Sequence, residues 1–236
     1  MGLASLFLLA HLLNFFGGIV TTMMELTVNE IFYSIQGEST YMGMPCVLVR
    51  LTGCNLRCVW CDTEYAFYEG KRMSLDEIIS EVARYECKLV EITGGEPLAQ
   101  DGVHELMSKL CDNGYEVLLE TSGSISIVNV DSRVRRIVDF KCPGSGMEKS
   151  NLWENVNHMK PTDEVKFVIA NKEDFDWSVD VMQTHHLAQK CPVLMSPVFG
   201  EVQPIELATW ILESKLGVRF QLQMHKYIWE PETRGV

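Results

Sequence analysis

The sequence predicts an α/β fold, a partial, open TIM-like barrel of parallel strands with flanking helices. Three observations point there. Short runs rich in Val, Ile and Leu recur along the chain without clean alternation, as strands buried on both faces do. Helical patterns separate them, and alternating strand and helix gives parallel βαβ units. A complete eight-unit barrel takes about 250 residues. Only 214 of the 236 residues lie from Met23 onward, so the barrel is expected to stay open.

Residues 1–22 stand apart. No charged residue occurs from 1 to 20, where Leu, Phe, Ala, Ile and Val surround His11, Asn14 and the Gly17-Gly18 pair. A signal peptide would carry a positive start and a small-residue cleavage site, and neither is clear. A membrane anchor needs about 20 apolar residues with Lys/Arg flanks, and the flanks are missing. The preferred reading is an apolar leader upstream of the true start at Met23 or Met24, with 23–236 forming a single domain.

Within that body, strands are expected at 45–51, 89–93, 117–120, 136–140, 164–169, 193–195 and 219–222. Ser74 precedes a helical pattern at 75–82, with Glu77 placed to complete a capping box. A second helix, 101–111, runs into the stop signal Asn113-Gly114. Helices at 173–189 and 204–216 follow, the latter ending at Gly217. There is no low-complexity linker and no internal repeat.

Composition narrows the function. Hydrophobic residues make up 47% and charged residues 22%, values typical of a globular chain. The net charge of −12 disfavours nucleic acid and anionic membranes as partners, since both require clustered Lys/Arg. Eight cysteines are too few for a disulfide scaffold, and three crowd into Cys54–Cys61. That bunching indicates a metal or cluster site in a reducing compartment, hence a cytoplasmic protein.

Cys54-Asn55-Leu56-Arg57-Cys58-Val59-Trp60-Cys61 follows the strand at 45–51, at the end where parallel α/β folds place their active sites. Structural zinc would need a fourth Cys or His nearby, and none is present in the motif. Three thiolates on a 4Fe–4S cluster instead leave one iron open to another ligand. The spacing resembles the signature of the radical S-adenosylmethionine (SAM) superfamily. The resemblance implies a radical SAM type barrel in which Cys54, Cys58 and Cys61 bind the cluster and SAM chelates the open iron. Thr93-Gly94-Gly95-Glu96-Pro97 resembles that superfamily's Gly-Gly-Glu-Pro element, which holds the SAM amino group; its glycines allow close backbone approach to a ligand.

Smaller features are similar to the 7-carboxy-7-deazaguanine synthase family: Ile35-Gln36-Gly37-Glu38, Val49-Arg50-Leu51-Thr52-Gly53-Cys54, Cys61-Asp62-Thr63, Asp139-Phe140-Lys141-Cys142-Pro143, Ser196-Pro197 and Gln223-Met224-His225-Lys226. The resemblance begins near Met24 and is weakest at 230–236, which run past the family's usual end. It implies a lyase that converts a carboxytetrahydropterin to a deazapurine, with no acid–base residue assigned because SAM carries the radical. Trp60, Asp62, Gly95, Ser122, Asp139, Phe140 and Lys141 would contact SAM. Ile35, Gln36, Gly37, Arg50 and Thr93 would contact the pterin, and Thr63 would ligate Mg²⁺. A flavodoxin or ferredoxin as electron donor and a homodimer are implied as well.

The residues support some of this independently. A planar guanidinium at Arg50 suits a carboxylate. A hydroxyl at Thr63 suits hard Mg²⁺, although a helix N-cap would explain it equally. His225 is balanced between substrate contact and none. Cys46, Cys87, Cys111, Cys142 and Cys191 read as small hydrophobes. Two other readings stand beside the synthase: an activase that installs a glycyl radical on a partner protein, and a non-catalytic Fe–S or zinc redox module.

Overall fold

A computed structural model describes residues 24–236; the leader at 1–22 lies outside the described residues. Nine strands form one sheet: β1 (Glu25–Ile35), β2 (Pro45–Leu51), β3 (Lys71–Ser74), β4 (Leu89–Gly94), β5 (Glu116–Thr121), β6 (Arg135–Asp139), β7 (Glu164–Ile169), β8 (Val193–Pro197) and β9 (Arg219–Phe220). Their order is β3-β1-β2-β4-β5-β6-β7-β8-β9, so the sheet curls without closing. Every pairing from β2 to β9 is parallel. The parallel open barrel therefore holds.

The expected strand set was incomplete. β1 and β3 add an antiparallel edge, with β1 pairing both β2 and β3. β1 lacks a simple alternation because its register slips between Val28 and Glu30. Before the slip Leu26 and Val28 face the outer core; after it Ile31 does, and Phe32 turns to the barrel interior. A bulge changes which parity faces in, which erases the period-two signal.

The helices are α1 (Leu75–Ala83), α2 (Val103–Asp112), α3 (Lys172–Thr184), α4 (Leu187–Lys190), α5 (Pro204–Ser214) and α6 (His225–Ile228). The capping box at α1 forms as expected, with Ser74 and Glu77 exchanging side-chain and backbone bonds. The single helix expected at 173–189 is two, because His186 takes a left-handed φ of 53°. Among the described residues, no helix is long and apolar enough to cross a membrane.

Strand parity divides the interior. Outward side chains of the strands meet the helices in the main core, which includes Val49, Ile92, Leu119, Val138 and Phe167. Inward, Cys46, Leu89, Leu118 and Ile137 plug one end of the barrel. Above the plug, the strands' C-terminal ends open onto a cavity.

Candidate active site

The cavity has a volume of about 620 Å³, and its wall includes all three clustered cysteines. β2 ends in Leu51 and leads through Gly53 to Cys54. The next parallel strand, β4, ends in Gly94, and Gly95 follows it against that loop. A Cβ at Gly94 would lie 2.3 Å from Leu51 O, and one at Gly95 2.3 Å from Gly53 O. The N–H of Gly95 donates to Leu51 O (3.2 Å) and that of Glu96 to Gly53 O (2.8 Å). These glycines thus let one backbone lie on another; close approach to a ligand is not their only role.

Glu96 is fully buried and ties β4 to β5. Its carboxylate accepts from Leu98 N (3.0 Å), Thr121 Oγ1 (2.8 Å), Ser122 N (2.8 Å) and Ser122 Oγ (2.6 Å). Ser122 Oγ also meets Ser124 Oγ at 2.8 Å, and Asn55 Nδ2 donates to Ser124 Oγ at 3.0 Å. The cysteine loop is therefore fastened to both neighbouring strand ends.

Arg50 stands opposite Thr93 in the β2–β4 ladder, and both line the cavity. Arg50 Nε donates to Glu30 Oε1 (2.8 Å), which also accepts from Tyr65 OH (3.0 Å). One edge of the guanidinium is thereby anchored while the side chain still faces the cavity. The three thiols are free and partly buried. Burial pushes the Cys54 and Cys58 thiols up, while the Lys141 ammonium pulls against it. Lys141 Nζ donates to Asp139 Oδ2 (2.9 Å); Asp139 Oδ1 is buried without a partner among the described residues.

Residues 48–186 match the Radical SAM superfamily. A 7-carboxy-7-deazaguanine synthase from Koribacter versatilis is 47% identical over 224 residues, covering 89% of this chain and 99% of the relative. One from Chlorobaculum tepidum is 44% identical over 220 residues, covering 92% and 100%. The chain belongs to the 7-carboxy-7-deazaguanine synthase family of radical SAM enzymes. In fold it resembles the crystal structure of QueE from Escherichia coli, with a TM-score of 0.71 at 22% identity over 86% of this chain and 95% of that one.

Membership in the radical SAM family brings a 4Fe–4S cluster and SAM, and the residues fit both. Three unpaired thiols share one cavity wall with a cationic Lys141, and the unpartnered Asp139 oxygen offers a buried acceptor beside them. The cavity wall also includes Trp60, Asp62, Gly95, Ser122, Asp139 and Lys141, together with Ile35, Gln36, Gly37, Arg50, Thr93 and Thr63. Ser122 is also engaged by Glu96, and Asp62 by Lys226 Nζ (2.8 Å). Desolvation opposes ionisation of Asp62, but Lys226 holds its carboxyl down at about 2.

Phe140, in the middle of the expected Asp139–Lys141 segment, turns its side chain away from the cavity. It lies between inward Asp139 and Lys141, so its side chain faces outward and is fully buried in the main core. There it stacks on Trp153 with centroids 4.9 Å apart. Only its backbone is left for a cofactor.

The sequence reading missed several cavity residues. Glu38, Glu91, Glu120 and Lys166 form a polar floor, with Lys166 Nζ donating to Glu38 and Glu120. The signal was available: Glu91 and Lys166 interrupt apolar runs, Glu120 follows the run Val117-Leu118-Leu119, and Glu91 and Glu120 sit two residues before Thr93 and Ser122. Burial works against ionisation of Glu38, yet Lys166 keeps its carboxyl below the usual range. His225 lines the cavity and packs on Gly37, whose Cβ would lie 2.3 Å from His225 Nδ1. The tail at 231–236 lines the cavity too. Arg234 stacks 3.7 Å over the Tyr65 ring and pairs with Glu69 at 3.0 Å.

Proposed function

We propose that this protein converts 6-carboxy-5,6,7,8-tetrahydropterin to 7-carboxy-7-deazaguanine with release of ammonia. The observation that carries the reading is the placement of Cys54, Cys58, Cys61, Arg50 and Thr93 on one cavity at the strands' C-terminal ends. Bound together, the cluster and SAM supply hydrogen-atom abstraction. Cys54, Cys58 and Cys61 hold the cluster; Trp60, Asp62, Gly95, Ser122, Asp139 and Lys141 surround SAM. Arg50 pairs with the substrate carboxylate, and its anchorage by Glu30 fixes the fork in advance of binding. Ile35, Gln36, Gly37 and Thr93 position the ring. The curled sheet, with the tail across its mouth, limits water around a reactive intermediate.

Thr63 is assigned to Mg²⁺. It precedes the short 3₁₀ turn Glu64–Phe67 but makes no capping hydrogen bond, which removes the N-cap explanation for its hydroxyl. Asp62 Oδ1 lies 3.5 Å from it, a second hard oxygen. A flavodoxin or ferredoxin as reductant, a homodimer, and a catalytic unit spanning 23–236 complete the proposal.

The test is anaerobic reconstitution of cysteine variants. Cys54→Ala, Cys58→Ala and Cys61→Ala are expected to lose the 4Fe–4S absorbance and all SAM cleavage, and Cys87→Ala to keep both. Stoichiometric zinc without iron in the unmodified protein would overturn the assignment.

A further inference from the structure

The floor of the cavity holds a carboxyl group that the reaction as assigned does not use. Glu91 is 2% exposed, lies on the inner face of β4 and lines the cavity. It sits two residues deeper than Thr93, and Leu48 rather than Arg50 is its neighbour on β2. At the usual strand rise that places it roughly 7 Å further into the barrel than the Arg50–Thr93 pair. A bicyclic ring held at its carboxylate by Arg50 and extending into the barrel would bring its opposite, aminopyrimidinone end toward Glu91.

The hydrogen bonds around Glu91 fix which of its atoms can do what. The backbone N–H of Glu38, which can only donate, gives its hydrogen to Gln36 Oε1 (2.5 Å). That settles the orientation of the Gln36 amide, so its Nε2 is the donor to Glu91 Oε2. Oε2 is thereby an acceptor, and a proton carried by the carboxyl group resides on Oε1. This inference rests on the proposed pterin reading and deepens it.

We infer that Glu91 acts as a neutral acid whose Oε1–H donates to an acceptor at the aminopyrimidinone end of the substrate, its carbonyl oxygen or bare ring nitrogen. Glu91 would then be a specificity residue, since a ring with a donor at that point would leave two hydrogens facing each other. The surroundings favour the neutral form. Burial, and then the charge of Glu120, push the Glu91 carboxyl up to about 8; the Gln36 bond and Lys166 oppose that, and Glu38 adds to it. The facing groups are Glu120 on β5, Lys166 on β7, Glu38 and Gln36 in the β1–β2 loop, and Cys46 on β2. Burial keeps the Cys46 thiol protonated.

The neutral form prevails below about pH 8 and is lost above it. Glu91→Gln keeps an acceptor for Gln36 and a donor toward the cavity at every pH, whereas Glu91→Ala removes both. The experiment measures the Kd of 6-carboxytetrahydropterin by equilibrium dialysis, under argon, with cluster-loaded protein and SAM but no reductant, from pH 6.5 to 9.5. The substrate's own ionisation is common to all arms and cancels in the comparison. The unmodified protein should lose affinity about tenfold per pH unit above roughly pH 8, beyond any change shared with Glu91→Gln. Glu91→Gln should bind within a few-fold of the unmodified protein at pH 7. Glu91→Ala should bind roughly ten- to a hundredfold more weakly at pH 7.

The inference is overturned if Glu91→Gln shows the same high-pH loss, or binds as weakly as Glu91→Ala at pH 7. Protein that binds the pterin but does not convert it on reduction sinks the proposed reaction and leaves the Glu91 comparison standing. Protein that neither binds nor converts it removes both.

Discussion

Gly95 lies directly on Cys54: a Cβ at position 95 would stand 2.7 Å from Cys54 Cβ as well as 2.3 Å from Gly53 O. The second contact is with backbone, so a side chain there moves the cysteine loop itself. Gly95→Ala is expected to lower iron content after reconstitution and to cut SAM cleavage about tenfold or more. Gly217→Ala, where a Cβ meets nothing within 4 Å, should change neither. Full iron loading and normal SAM cleavage in Gly95→Ala would contradict the packing account.

Removing Glu96 should cost stability first. Glu96→Ala leaves four donors from Leu98, Thr121 and Ser122 without their acceptor in a buried site. The expected loss is on the order of 3 kcal/mol, a Tm drop of roughly 6–12 °C by calorimetry. An unchanged Tm would show that the carboxylate does not hold the two strand ends together.

Arg50→Ala should separate binding from radical chemistry. The KM for the carboxytetrahydropterin is expected to rise about ten- to a hundredfold, while slow uncoupled SAM cleavage persists, because Arg50 is not a cluster ligand. Arg50→Lys should recover only part of the loss, since an ammonium cannot keep Glu30 and pair a carboxylate through one planar fork. Loss of SAM cleavage in Arg50→Ala would mean that the residue supports the cluster instead.

Much of this was legible in the sequence, for identifiable reasons. β2 and the parallel strands after it are buried on both faces and read as apolar runs, and the cysteine spacing stands out against any background. β1 was hidden because its bulge swaps the inward parity between Val28 and Phe32. The side-chain direction of Phe140 is not legible from the contiguous motif Asp139-Phe140-Lys141, because a strand turns alternate residues to opposite faces. The polar floor was overlooked because Glu91 and Lys166 are each flanked by apolar residues on both sides within their strands. The tail at 231–236 gives no sequence signal: its position depends on Arg234 meeting Tyr65 and Glu69, a tertiary pairing.

Of the three arginines at 133, 135 and 136, Arg136 alone is buried. Arg136 Nε donates to Asp163 Oδ2 at 3.0 Å, with both side chains essentially inaccessible, near the β-strand ends remote from the cysteines. Asp163→Ala would strand a buried guanidinium and is expected to cost about 3–5 kcal/mol, read by denaturant unfolding. The protein that remains folded should retain its SAM cleavage, because neither residue lines the cavity. A stability loss under 1 kcal/mol would contradict the structural role.

The most direct measurement of the central claim is anaerobic turnover of 6-carboxy-5,6,7,8-tetrahydropterin by the reconstituted, reduced protein, with product, ammonia and SAM quantified together. 7-Carboxy-7-deazaguanine and ammonia are expected in equal amounts, with far less than one SAM consumed per product. No pterin-derived product, together with a glycyl radical appearing on an added partner protein, would contradict it.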